Sequence, residues 1–284
     1  MNYGGRRMVQ RSALLLAAQL LAFCPVIEVA AQEASPKAVI SNDRLATCFD
    51  EKTGAFTGPM LVRSQALVAP DGDHRAYTED LAAGDVKLPN ERTGGWSPSE
   101  CANISQMFVA DRRGHEFRRA LAITPTEQTL GNAIFLVDWS PDSRYLLFKS
   151  LLFQWGSDFG GSDPVLYDAK SGTFSDSLLM YQAFTKWAKR DCVVSIEPLG
   201  FSSEGKVVLK AGPTYPIAPE VDEPEPDSCL KKSGTWLYDP GAGSLTELPD
   251  QFRVKRFGRF ESWSVSGFHP AAGHAHTDRV RVQH

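Results

Sequence analysis

The sequence predicts an all-β fold for residues 32–284, on three observations. A strand–turn–strand unit occurs three times, with Pro or Ser and an acidic residue in its turn. A second unit, a short apolar strand followed by Asp and a nearby Gly, occurs four times. The two units alternate along the chain, which is harder to obtain by chance than either one alone. Composition agrees with a folded domain: 42% hydrophobic and 23% charged residues in 284 supply a sizeable core.

Residues 1–31 read as a leader rather than as part of that fold. Arg6, Arg7 and Arg11 precede an apolar stretch from Ala13 to Ile27, and Val29-Ala30-Ala31 supplies the small residues of a cleavage site. These are the three parts of a secretory signal peptide, and the stretch is short for a membrane-spanning helix. Cleavage after Ala31 is expected. Leu21-Ala22-Phe23-Cys24 has the outline of a lipoprotein box, but Phe23 is bulky for its place before the cysteine. The residues around Arg6-Arg7 match a twin-arginine signal poorly. The expectation is a periplasmic or secreted protein. Loss of the leader turns 30 basic and 34 acidic side chains into 27 and 33, a formal charge of −6.

The first hairpin unit is Ala66–Gly72 with Arg75–Thr78, the second Val137–Ser143 with Tyr145–Phe148, the third Leu199–Gly205 with Val207–Leu209. In each, turn formers separate two short apolar runs. The second unit appears as Cys48–Gly54, Met107–Gly114, Val165–Gly172 and Trp236–Gly241, its aspartates Asp50, Asp111, Asp168 and Asp239 lying 61, 57 and 71 residues apart. The carboxylate is placed to accept backbone amides in the turn while glycine takes the positive φ. Long spacings require insertions, of which Gly212–Ser228 and Glu91–Ser99 are the clearest. Cys48, Cys101, Cys192 and Cys229 make an even count suited to two disulfides in an oxidising compartment. Pairing Cys48 with Cys101 and Cys192 with Cys229 closes the shorter loops.

Trp139-Ser140-Pro141-Asp142-Ser143-Arg144-Tyr145-Leu146-Leu147-Phe148, followed by Val165-Leu166-Tyr167-Asp168, closely resembles the TolB-type, WD40-like β-propeller repeat. That repeat runs Trp-Ser-Pro-Asp-Gly through an apolar strand to an aspartate-containing turn. The resemblance covers roughly residues 45–250 and implies a small or degenerate propeller of about three to four blades. Its signature residues are structural, so it implies nothing about partners. Closure of the ring would use Gly267–His276 as the opening of a fourth hairpin, with outer strands from Val39–Asp50. An open or irregular sheet of the same units is the alternative.

No basic stripe lies outside the leader, so nucleic-acid binding is not expected. Gly-x-Ser-x-Gly, Walker, Gly-x-Gly-x-x-Gly and His-Glu-x-x-His motifs are absent from the sequence. His274 and His276 would share a strand face near His269, a pattern with some likeness to a zinc or copper site, but a solvated tail accounts for it as well. Asp158 and Asp163 flank a Gly-rich excursion whose spacing departs from a calcium loop, and Trp155 and Phe159 within it suit a partner contact. Pro219–Asp227 carries five carboxylates and three prolines and reads as a stiff, solvated loop. Asn103-Ile104-Ser105 is a glycosylation sequon. No catalytic, cofactor-binding or metal-ligating residue is assigned on this basis. The expectation is a monomeric binding or scaffolding module without a cofactor or membrane span, for a protein or small-molecule ligand. The alternative is a propeller hydrolase or lyase with its site at the central opening.

Overall fold

The computed structural model describes residues 36–50, 52–84, 101–110, 116–126, 130–154, 160–175, 177–214, 227–249 and 251–262. The leader expected at residues 1–31, Asp158 and the three C-terminal histidines His269, His274 and His276 lie outside these residues, as do Trp155, Phe159 and the proposed fourth hairpin at 267–276. Within them the protein is all-β, with a single helix.

The first sheet contains β1 (Val39–Ile40), β2 (Met60–Arg63), β3 (Ala66–Val68), β4 (Arg75–Ala83), β5 (Ala102–Ala110) and β6 (Phe117–Ile123). Its body is the antiparallel run β3–β4–β5–β6, and β2 continues the line of β3 along the same edge of β4. The second sheet is the antiparallel meander β7 (Gly131–Trp139), β8 (Tyr145–Phe153), β9 (Gly160–Asp168) and β10 (Thr173–Ser175). Helix α1 (Leu178–Ala188) leads to the third, the meander β11 (Ser195–Phe201), β12 (Val207–Gly212), β13 (Gly234–Asp239) and β14 (Ser244–Leu248). A last strand, β15 (Arg259–Glu261), returns to pair antiparallel with β3.

The hairpin units form the turns β3–β4, β7–β8 and β11–β12. Gly72, Ser143 and Gly205 take equivalent left-handed positions, with φ of 76°, 60° and 78°. Ser143 is tolerated there because its hydroxyl accepts the Asp71 amide at 3.0 Å, tying the second turn to the first. In the aspartate unit, Asp50, Asp168 and Asp239 each accept the amides two and three residues ahead. The residue four ahead donates its amide to the aspartate carbonyl at 2.8 Å and takes positive φ. That residue is Gly54, Gly172 and Gly243. The fourth copy therefore turns on Gly243, not Gly241, because Pro240 and Gly241 sit earlier in the loop.

Sheets stack on one another in chain order. Leu67, Met107 and Val109 of the first sheet meet Leu146, Phe148 and Tyr167 of the second. Leu147 and Leu166, on the opposite face, meet Phe201, Leu209 and Trp236 of the third. Burial on both faces explains why Tyr145–Phe148 reads as a continuous apolar run rather than an alternating one. Trp139 is fully buried in the first interface, and its indole donates to the Leu67 carbonyl at 2.9 Å. Both expected disulfides are present, Cys48–Cys101 and Cys192–Cys229.

Two features depart from expectation. Val39–Ile40 pairs in parallel with β2, and Cys48 is bonded to Cys101 directly before β5, so this segment is tied to the first sheet instead of supplying outer strands to a fourth. Helix α1 was not foreseen. Met180, Ala183 and Phe184 recur at helical spacing and form its buried face against the third sheet.

Candidate functional site

Strands β3, β7 and β11, each the first strand of a hairpin unit, converge on one segment. β7 and β11 each carry a bulge, at Val137 and Leu199, two residues before the aromatic residue that closes the strand. By the shared turn pattern, Leu67, Asp138 and Gly200 are equivalent positions, and residues 254–261 run past all three. Lys255 bridges Phe201, Arg256 donates to the Val137 carbonyl, and Arg259–Glu261 pairs with Val68–Ala66. Asp138, with no exposed surface, accepts the amides of Gly258 at 2.8 Å, Trp139 at 2.9 Å and Phe257 at 3.2 Å. Burial raises the Asp138 pKa, while these amides and the Arg256 charge draw it back.

The approach leaves little room for a side chain on either side, and at Gly200 the backbone itself favours glycine. A Cβ on Gly258 would lie 3.0 Å from the Leu67 side chain and 3.3 Å from Asp138 Oδ1. One on Gly200, at φ 146°, would lie 2.8 Å from Val254 and 3.3 Å from Asp138 Oδ2. Where β3, β7 and β11 come together, the chain's own strap covers them, and the Asp138 carboxylate is committed to backbone amides.

A second polar cluster holds the segment that follows β1. Asp80 on β4 accepts the Ala46 amide at 3.0 Å, the Ser105 hydroxyl at 3.0 Å and the Asn103 side-chain amide at 3.1 Å. Asn103 also donates to the Ala46 carbonyl, and Asn132 donates to the Asn103 carbonyl. Asp80 borders a small cleft with room for little more than one water molecule, partly open to solvent, with Ser41, Asn42, Arg44, Thr78 and Phe135 around it. Burial pushes the Asp80 carboxyl up to about 6, against the opposing pull of its three donors.

This cluster sets a pH dependence whose sign follows from linkage. Folded Asp80 holds a proton to higher pH than the unfolded chain does, so stability falls as pH rises from about 4 to about 6, then levels. The loss is roughly 3 kcal/mol. Asp50, Asp168 and Asp239 act oppositely, held low by the Thr53 amide, the Arg144 guanidinium and the Ala242 amide; their stabilisation is lost below the ordinary carboxylate range. Thermal melts should therefore show the midpoint rising from pH 7.5 to pH 5 and falling again below pH 4. In Asp80→Asn most of that rise should vanish.

The sequence-derived candidates fare differently. Asp163 accepts the Tyr181 hydroxyl at 2.8 Å and joins β9 to α1. Asn103 is fully buried with its amide engaged, so the sequon is closed to glycosylation in the folded state. Among the described residues no group of three His, Cys, Asp or Glu is placed to hold a metal ion, and no helix is long and apolar enough to cross a membrane. Asp80 and Asp138 were missed. The available signal for Asp138 was a charged residue inside an otherwise apolar strand, directly before the signature tryptophan. No protein-family model matches this chain, and no curated protein matches it.

Proposed function

We propose that this chain is an exported binding or scaffolding module with a TolB-like, propeller-type architecture and no catalytic role of its own. The observation that carries this reading is the strap: the place where the inner strands converge, which a propeller enzyme would keep open, is occupied by residues 254–261 through Asp138. The propeller reading draws on three antiparallel meanders opened by equivalent turns and stacked in chain order. Two disulfides fit an oxidising compartment outside the cytoplasm. Partner contacts then fall to the outer surface, where Phe56, Leu179 and Trp187 are exposed.

The test has two arms. The exported protein should begin at Gln32 by N-terminal sequencing. Photo-crosslinkers at Phe56, Leu179 and Phe174 should capture discrete adducts in cells, lost when residues 2–31 are deleted. Substrate turnover that disappears in Asp138→Asn would overturn the reading in favour of the hydrolase or lyase alternative.

A further inference from the structure

The strap carries a charge opposite to that of the whole chain. Residues 252–261 hold Arg253, Lys255, Arg256 and Arg259 against one carboxylate, Glu261, in a protein of net charge −4. All four cations are exposed. Arg253 has no carboxylate partner among the described residues, and Lys255 Nζ lies 5.7 Å from the centre of the Phe257 ring. Arg256 donates to the Val137 carbonyl, while Glu261 is shared between Arg259 and Arg75. One carboxylate thus serves two arginines, and the ridge stays positive. Residues 253–259 are a short basic stripe outside residues 1–31, contrary to the expectation from the sequence. Phe252 and Phe260 stand at its two ends, 37% and 39% exposed.

The backbone of this segment is paired on one side only. Lys255 bridges Phe201, the Phe257 and Gly258 amides go to Asp138, and Arg259–Glu261 pairs with β3. Among the described residues no strand lies along the other side. An extended chain with one side unpaired presents N–H and C=O groups that another polypeptide can match. A phosphate chain or a lipid surface has no backbone of that kind. The positive charge selects the sign of the arriving segment, and two exposed rings give it apolar anchors. We propose that the outer side of residues 252–261 docks an extended acidic segment of a partner protein, which lies along the strap as an added strand. Its carboxylates meet Arg253, Lys255 and Arg256, and its apolar side chains meet Phe252 and Phe260. This assignment rests on the reading of the chain as a binding module and supplies that reading with a surface and a partner chemistry.

The test uses the mature full-length protein and a fluorescent decapeptide of alternating Glu and Val, followed by anisotropy at about 0.15 M salt. Controls are the matching Lys–Val peptide, the Glu–Val peptide methylated at every backbone nitrogen, oligothymidylate and, by cosedimentation, phosphatidylglycerol vesicles. The Glu–Val peptide should bind saturably with a Kd of about 100 µM or tighter, and the Lys–Val peptide should not bind. Backbone methylation should weaken binding about tenfold or more, because it removes the donors of the added strand. Arg253→Glu combined with Lys255→Glu should weaken it as much at an unchanged melting midpoint, whereas Arg253→Lys combined with Lys255→Arg should keep it. No saturation at about millimolar peptide, or equal binding of the methylated peptide, overturns the proposal. So does tighter binding of oligothymidylate or vesicles that is lost in the same charge reversal, since the strap is then a surface for another kind of polyanion. Crosslinks at Phe56, Leu179 and Phe174 that survive a failed titration remove this surface alone. Loss of those crosslinks as well removes the module reading.

Discussion

Replacing Trp139 with alanine is expected to cost the fold about 3–5 kcal/mol, the range for deleting a large buried aromatic. The residue has no exposed surface and sits between the first and second sheets, where Leu67, Met107, Leu146, Phe148 and Tyr167 share its cluster. No neighbour is positioned to collapse into the space without disturbing a strand, because both sheets are pinned there by the turn contact between Ser143 and Asp71. Trp139→Phe separates two contributions. It keeps most of the apolar volume but leaves the Leu67 carbonyl without its indole donor, so a loss of about 1–3 kcal/mol is expected from that group. Chemical denaturation of both variants checks this. Equal loss in the two would mean that the hydrogen bond, not the packing, dominates; a loss under about 1 kcal/mol in Trp139→Ala would refute the assigned role.

The second large effect concerns Asp138. Asp138→Ala removes the acceptor of three amides at once, two of them on the strap. Removing the buried charge relieves a desolvation cost, since burial raises the carboxyl's pKa. The amide penalty is the larger: about 1–3 kcal/mol for each buried donor left unpaired. A net destabilisation of roughly 3 kcal/mol is expected, concentrated in residues 254–261. Hydrogen exchange should show those amides losing protection ahead of the β7–β8 ladder. Asp138→Asn retains one acceptor oxygen and should fall between wild type and Asp138→Ala. Unchanged exchange at Phe257 and Gly258 in Asp138→Ala would show that strand pairing with β3 alone holds the strap.

The turns were legible in the sequence because their chemistry is local. Asp168 and Gly172 lie within one loop, and the carboxylate, amides and left-handed residue that define the turn are all within five positions. Disulfide pairing was legible for a related reason, loop length. The strap was not. Asp138 and Gly258 are separated by 120 positions, and nothing about either residue in isolation announces the other. Helix α1 had a readable apolar spacing, but its 11 residues stand alone among strands, and the repeated hairpins drew the reading past them.

The strap has a consequence for the order in which the protein matures. Every strand it touches is synthesised before it: β3, β7 and β11 are complete while residues 254–261 are still to come. Each meander can form from local contacts as it emerges, but the buried carboxylate of Asp138 has no partner for its two distant amides until the last segment arrives. The final lock is thus a late event, of high sequence separation and correspondingly slow closure. For the export proposed above, a chain entering a translocon from its N-terminus would stay unlocked until residues 254–261 have crossed, and the lock would close only on the far side.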